Sequence, residues 1–417
     1  MFTLIFVVAL LSSVAVRLWL SRRQIACVRA NRDKVPDKFR EKVTLTQHQR
    51  AADYTVANMH LGMVALFIES LLLIMLTLIG GLNWLDQFLQ NYLGQGLLYG
   101  LGLIASVGLI SSLVDLPLTI YRQFYVEEKF GFNRMNVRLF ISDLLRNFLL
   151  GIVIGMPIIL AVLWLMNSAG THWWLWTWFL WVSFSLLMMV VAPTIIMPLY
   201  NRFTPLTDET LRARIEALLA RCGFTSKGVF VMDGSKRSSH GNAYFTGFGS
   251  AKRIVFFDTL IEKLTADEIE AVLAHELGHF HYRHIAKRMV VTFLLSLGVL
   301  ALLGWLIEQS WFYTSLGVVP SLTASNHALA LILFFLVLPV FSFFLTPLGN
   351  ILSRKHEFQA DAFAAKQASA PKLISALVKL YQDNAATLTP DPLYSHFYAS
   401  HPPASQRITR LALSVKQ

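Results

Sequence analysis

The sequence predicts an all-α polytopic membrane protein, seven transmembrane helices carrying a small α+β region on one side of the bilayer. Three observations lead there. Of 417 residues, 55% are hydrophobic and only 15% are charged, whereas a soluble chain carries about a quarter charged residues. Seven stretches, 2–20, 61–82, 96–119, 148–166, 173–199, 289–307 and 327–348, meet the roughly 20 apolar residues that a helix needs to cross the hydrocarbon core. Alternate connections also differ in charge. Segments 83–95, 167–172 and 308–326 contain no Lys or Arg, while 21–59 alone holds nine against four Asp and Glu.

Lysine and arginine stay cytoplasmic during insertion. The N-terminus is therefore expected outside, and the segments around 201–288 and 351–417 inside with the C-terminus. The first stretch has its positive charge after it rather than before it, as an uncleaved signal anchor does. The fifth ends at Ala192-Pro193, and Pro198 follows, so a kinked or broken exit is expected. The formal charge of +11 is mostly a topology signal. No basic-aromatic module accompanies it, which excludes a nucleic-acid partner and leaves the lipid bilayer. Cys27 and Cys222 form neither a disulfide framework nor a CxxC site. Glu69 and Asp115 fall inside spans, where charge faces water or a polar interior, or is paired.

The chain divides accordingly: five membrane helices with cytoplasmic loops in 1–200, a soluble region in 201–288, a hairpin of two spans in 289–350, and a second soluble region in 351–417. In the first soluble region Thr207 is the expected N-cap of a helix, with Asp208 and Glu209 in its first turn and Gly223 past its end. Short β-like runs follow at Val229–Met232, Asn242–Phe248 and Arg253–Phe257. Thr265 and Glu268 then read as a capping box, opening a helix expected to continue through Ile285. The second soluble region is expected to be helical around 353–368, 371–384 and 404–415.

The capped helix carries His275-Glu276-Leu277-Gly278-His279, an HExxH pattern. Residues four apart differ by about 40° in azimuth, so both imidazoles can share one metal ion. Glu276 lies on the same face, where a carboxylate can take a proton from the attacking water. His/carboxylate ligation favours zinc, one ion per chain. His284 is five residues past His279 and so points away from the pair, and His281 is also off that face; both read as solvated. A catalytic zinc needs a third protein ligand. Glu357 in Glu357-Phe-Gln-Ala-Asp361 is a candidate, with Asp361 one turn away to orient a ligating histidine; His356, His396 and His401 compete. Two spans separate this segment from His279 and return the chain to the same side.

With these residues in hand, the chain resembles the CAAX prenyl protease 1 family of integral-membrane zinc endopeptidases, over nearly its whole length. The resemblance is carried by FYVEEKFGFNR (Phe124–Arg134), DGSKRSSHGNAYFTGF (Asp233–Phe248), RIVFFDTL (Arg253–Leu260), HELGH, EFQAD and SHPPASQR (Ser400–Arg407). It implies a gluzincin-like zinc protease region, Glu357 as third ligand, and seven helices around a large hydrated chamber. It also implies that Asn242 and the neighbouring backbone, Ala243 included, hold the peptide as an extended strand. His401 would stabilise the oxyanion, and Arg407 would anchor the active-site wall or a substrate carboxylate. Glu127 and Glu128 lie in a family-like loop but have no evident chemical role. The substrate implied is a peptide or protein, prenylated at its C-terminus in the family's eukaryotic members. The short outside loops and the lack of a visible endoplasmic-reticulum retrieval signal favour a bacterial inner membrane. A quality-control protease without prenyl specificity is the alternative in the same class. A transporter or chaperone holding zinc structurally is the alternative in another.

Overall fold

The computed structural model describes residues 1–246, 253–321 and 325–414. Seven helices are long and apolar enough to cross a membrane: Phe2–Ala30, Leu45–Leu76, Leu97–Glu127, Val137–Ser168, Gly170–Tyr200, His284–Leu306 and His327–Gln367. They match the seven expected spans in order, but most run past the apolar stretch. The first extends ten residues beyond position 20, and the seventh continues through a 3₁₀ turn at Phe343–Leu345 straight into the helix Thr346–Gln367. The helix Thr346–Gln367 runs unbroken through residue 350. At Ala192–Ile196, where a kinked or broken exit was expected, the fifth span widens into a π-helical turn and continues; the wider turn accommodates Pro193, which has no N–H to give the ladder.

The expected outer loop 83–95 is in large part a helix, Gly81–Leu93, which buries Leu82, Leu85 and Asp86 against the bundle. Its buried face repeats at helical spacing, and Asp86 is satisfied by Gln90 and Tyr99. Between the first, second, third and seventh spans lies a cavity of about 370 Å³, lined in part by Arg17, Glu69 and Asp115. The intramembrane charges thus face an internal space, the cheaper of their options in a bilayer.

The soluble part is built on a four-stranded sheet in the order β1-β2-β4-β3. β1 (Phe203–Pro205) runs antiparallel to β2 (Val229–Met232), β2 parallel to β4 (Arg253–Phe257), and β4 antiparallel to β3 (Ala243–Thr246). Positions 247 and 248 of the expected strand lie outside the described residues. The helix Glu209–Arg221 connects β1 to β2, capped by Asp208 rather than Thr207, with the Leu211 N–H donating to Asp208 Oδ1 at 3.0 Å. Gly223 after it takes a left-handed φ of +64°, as a helix C-terminus requires. Leu211, Ile215, Leu218 and Leu219 from this helix meet Ile254 and Phe256 of β4 in one core with Ile269, Val272 and Leu273. The core thereby fixes one side of the HExxH helix.

That helix, Ala266–His281, starts with the expected capping box between Thr265 and Glu268. Glu268 is buried and does more than cap, since Ser375 Oγ and Lys379 Nζ of the helix Ala370–Asp383 both donate to it at 2.7 Å. Burial would raise its pKa, but hydrogen bonds from Lys379, the Thr265 N–H and Ser375 prevail and lower it to about 2. A depressed carboxylate stabilises the fold above its unfolded pKa, and that contribution fades as pH falls through the folded value. Glu268→Gln is therefore expected to cost about 1–3 kcal/mol at pH 7. In paired thermal melts the gap from the parent should close as pH drops from 4.5 toward about 2.

The HExxH helix ends earlier than expected. Tyr282 caps it, Arg283 turns left-handed at φ +55°, and a new helix starts at His284. Nothing in the composition marks the break, because no Gly or Pro is present. In the second soluble region the helices are Thr346–Gln367, Ala370–Asp383 and Ala404–Ser414, with a further short one at Pro392–Tyr398. Asp391 caps that short helix through the Leu393 and Tyr394 N–H groups and is held by Arg23 from the first span.

Candidate active site

Two helices make the site. The HExxH helix crosses Thr346–Gln367 at Gly278, where a Cβ would lie 2.9 Å from Ala360 Cα and 3.2 Å from Phe363 Cβ. Ala360 is itself fully buried. Only the absence of a side chain at Gly278 allows this approach, which brings Glu357 onto the histidine pair.

The result is a compact triangle of donors. His279 Nε2 lies 3.3 Å from His275 Nε2 and 3.3 Å from Glu357 Oε1, and His275 Nε2 lies 3.5 Å from Glu357 Oε2. Tetrahedral ligands at zinc distances of about 2.0–2.1 Å are separated by roughly 3.3 Å, so the spacing fits a single ion. Two features make the fit chemical as well. Two imidazole nitrogens that both present lone pairs repel at this distance, and a cation between them removes the repulsion. Glu357 Oε2 is buried and makes no hydrogen bond, a state that costs free energy unless something else satisfies it. Burial alone would keep His275 neutral, yet the Asp361 carboxylate at Nδ1 and the Glu357 carboxylate facing Nε2 prevail and raise its pKa to about 9. The pocket favours positive charge at its centre.

Each donor is held from behind. Asp361 Oδ1 lies 2.9 Å from His275 Nδ1, turning Nε2 toward the triangle. Arg407 grips Asp361 through Nε at 2.9 Å and Nη2 at 2.6 Å, with Nη1 3.7 Å from Glu357 Oε2. Arg407 is thus buried, with its guanidinium facing the chain's own carboxylates. His401 is exposed and reaches the triangle, its Nε2 3.4 Å from Glu357 Oε1. It is brought there by Arg354, which donates to the carbonyls of His396 and Ala399. Glu276 follows His275 on the same helix and is half-buried; no hydrogen bond or ion pair engages its carboxylate among the described residues.

Asn242 and Ala243 lie at the sheet edge. The Phe257 N–H donates to Asn242 O at 3.0 Å and Ala243 sits opposite Phe256. Alternation in an antiparallel ladder then turns the Ala243 backbone away from β4, where Asn242 Oδ1 accepts its N–H at 2.9 Å. Among the described residues no strand pairs with the other edge of β3. Of the three competitors of Glu357, His401 reaches the triangle's edge, whereas His356 stacks on His284 with ring centroids 3.9 Å apart and His396 is exposed on its short helix. His281 is exposed, as expected.

His284 corrects the sequence reading. It is 4% exposed, not solvated, and its Nδ1 lies 3.1 Å from His279 Nδ1. A continuous helix would rotate it about 140° from His279; the break at Arg283 brings it back. Glu127 also acquires a role. It accepts from Tyr54 Oη at 2.7 Å and lies 3.6 Å from His240 Nε2, while His240 Nδ1 lies 3.1 Å from Asn384 Oδ1. This network ties the end of the third span to the segment leading into β3. No signal in the sequence marked it, because its members are up to hundreds of positions apart.

A histidine pair and a carboxylate from two crossing helices, beside an unengaged Glu and an open strand edge, define a class: a metallopeptidase built into a multi-pass membrane helix bundle. Comparisons with known proteins narrow it. Residues 24–202 match the family model described as "CAAX prenyl protease N-terminal, five membrane helices", and residues 205–414 match "Peptidase family M48". The chain is 40% identical over 327 residues to CAAX prenyl protease 1 of Saccharomyces cerevisiae, covering 75% of this chain and 71% of that protein. It is 32% identical over 407 residues to the probable CAAX prenyl protease 1 of Schizosaccharomyces pombe, covering 94% and 85%. The crystal structure of S. mikatae Ste24p superposes with a TM-score of 0.90 at 30% identity, covering 99% of both chains. The chain belongs to the M48 peptidase family, in its CAAX prenyl protease 1 branch, and is a metalloendopeptidase acting on peptide or protein substrates.

Proposed function

We propose that this chain is a zinc endopeptidase that processes the C-termini of prenylated proteins. The observation that carries the chemistry is the donor triangle of His275, His279 and Glu357 beside the unengaged Glu276. One zinc ion per chain would be held by those three residues; when bound, it supplies Lewis-acid polarisation of the scissile carbonyl and a water acidic enough to attack near neutral pH. Asp361, held by Arg407, keeps His275 in the ligating tautomer. Substrate adds as a strand to β3, taking the outward backbone groups of Ala243 with Asn242 beside it. Glu276 accepts the proton of the attacking water and later delivers it to the leaving amine. His401 donates from Nε2 to the developing oxyanion.

Loop charge supports a topology with the N-terminus outside and residues 201–288 and 351–417 in the cytoplasm, with a bacterial inner membrane as the favoured setting. Prenyl processing is favoured by the named relatives, which align along most of the chain. The test is mass-spectrometric mapping of products from purified protein with a peptide library. A farnesylated C-terminal peptide should be cut three residues from its end, and faster than its unmodified counterpart. Equal cutting of both would replace this substrate reading with quality-control proteolysis.

A further inference from the structure

His279 is backed differently from its partner. Asp361, a carboxylate, stands behind His275, whereas behind His279 stands another imidazole. His284 is 4% exposed and stacks with two rings, His356 at 3.9 Å and 13° and Tyr282 at 5.6 Å and 20°. Its ring therefore cannot turn without breaking two stacks. Its edge is engaged at both nitrogens, with Nδ1 3.1 Å from His279 Nδ1 and Nε2 2.9 Å from Gln359 Oε1.

The proton positions follow from these contacts. An amide oxygen only accepts, so His284 Nε2 carries the hydrogen and donates to Gln359. A neutral imidazole then has its lone pair on Nδ1, which can only accept from His279. His279 must carry its hydrogen on Nδ1, and its Nε2 lone pair faces His275 and Glu357. We infer that Gln359 and His284 form a two-residue tautomer lock that holds His279 ready to ligate metal. The inference rests on the reading of His275, His279 and Glu357 as metal ligands.

This accounts for the middle of the EFQAD segment. Glu357 supplies a donor atom, Gln359 sets the hydrogen-bond direction behind His279, Ala360 permits the crossing with Gly278, and Asp361 sets the direction behind His275. One helix thus orients both histidines of the other. His284 and Gln359 are positioning residues, since neither offers an atom to the triangle.

The test is zinc affinity of the purified full-length protein, stripped and titrated against a competing chelator, with the melting temperature of the stripped protein as the folding control. His284→Phe keeps a ring in the stack but has no nitrogen, and Gln359→Leu removes the acceptor. Gln359→Glu keeps an acceptor at the same place. The lock requires that His284→Phe weaken zinc by about 10–100-fold, that Gln359→Leu weaken it in the same direction, and that Gln359→Glu stay close to the parent. If His284→Phe does not fold, the Gln359 pair decides alone. Unchanged zinc affinity in folded His284→Phe overturns the lock, as does equal weakening by Gln359→Leu and Gln359→Glu, which would be a packing effect. A parent protein that binds no zinc would sink the ligand reading itself, a different result from parent binding that the variants leave untouched.

Discussion

Glu276→Gln is expected to lower turnover by at least about a thousandfold, within the range for loss of a general base, while the protein folds and keeps its metal. Glutamine fills the same space but cannot take a proton at neutral pH. Glu276 is not among the three donors that converge within 4.8 Å of one another, so ligation should survive. It also has no partner among the described residues to lose, so stability should stay near the parent's. The measurement is single-turnover cleavage of a fluorogenic peptide, run beside metal analysis of the same preparation. Turnover close to the parent's in a metal-loaded variant would remove Glu276 from the mechanism. Loss of metal together with activity would make it a ligand instead.

Gly278→Val is expected to abolish activity by another route, with every chemical residue left in place. A Cβ at Gly278 meets backbone, Ala360 Cα at 2.9 Å and Ala360 O at 3.2 Å, so no rotamer change relieves the clash. The crossing must open, at an overpacking cost of about 1–3 kcal/mol. Opening carries Glu357 away from His275 and His279, and Gln359 and Asp361 with it. A displacement of about 1 Å costs on the order of a hundredfold in rate, and metal affinity should fall in parallel. Chelator competition and cleavage assays on the same variant check this. The contrast with Glu276→Gln is the informative part: one variant keeps metal without activity, the other loses both. Retention of full zinc affinity by Gly278→Val would show that the crossing does not set the donor spacing.

How much could be read from the chain follows the range of the interactions. The seven spans were legible because lipid imposes a local requirement, about 20 apolar residues in a row. Their ends were not, since helices continue into water on capping and packing: the second span, capped by Thr44, begins at Leu45, sixteen residues before its expected start. The capping box at Thr265 and the pairing of His275 with His279 were legible because both operate within a turn or two. Glu357 could be named as a candidate, but His356, His396 and His401 stood beside it until the resemblance favoured it. The helix break at Arg283 was invisible, since no Gly or Pro marks it and the left-handed turn is held by tertiary contacts. The solvated reading of His284 failed with it.

The sequence by itself determined the seven spans and that two histidines and a glutamate share one helical face. These properties depend on residues close together in the chain and on partition between water and lipid. Only the tertiary structure decided which carboxylate joins the histidines, that Arg407 is committed to Asp361, and that His284 and Gln359 stand behind His279. Those relations depend on two helices approaching at Gly278 and Ala360, eighty-odd residues apart, and close packing of that kind is decided by the whole core at once.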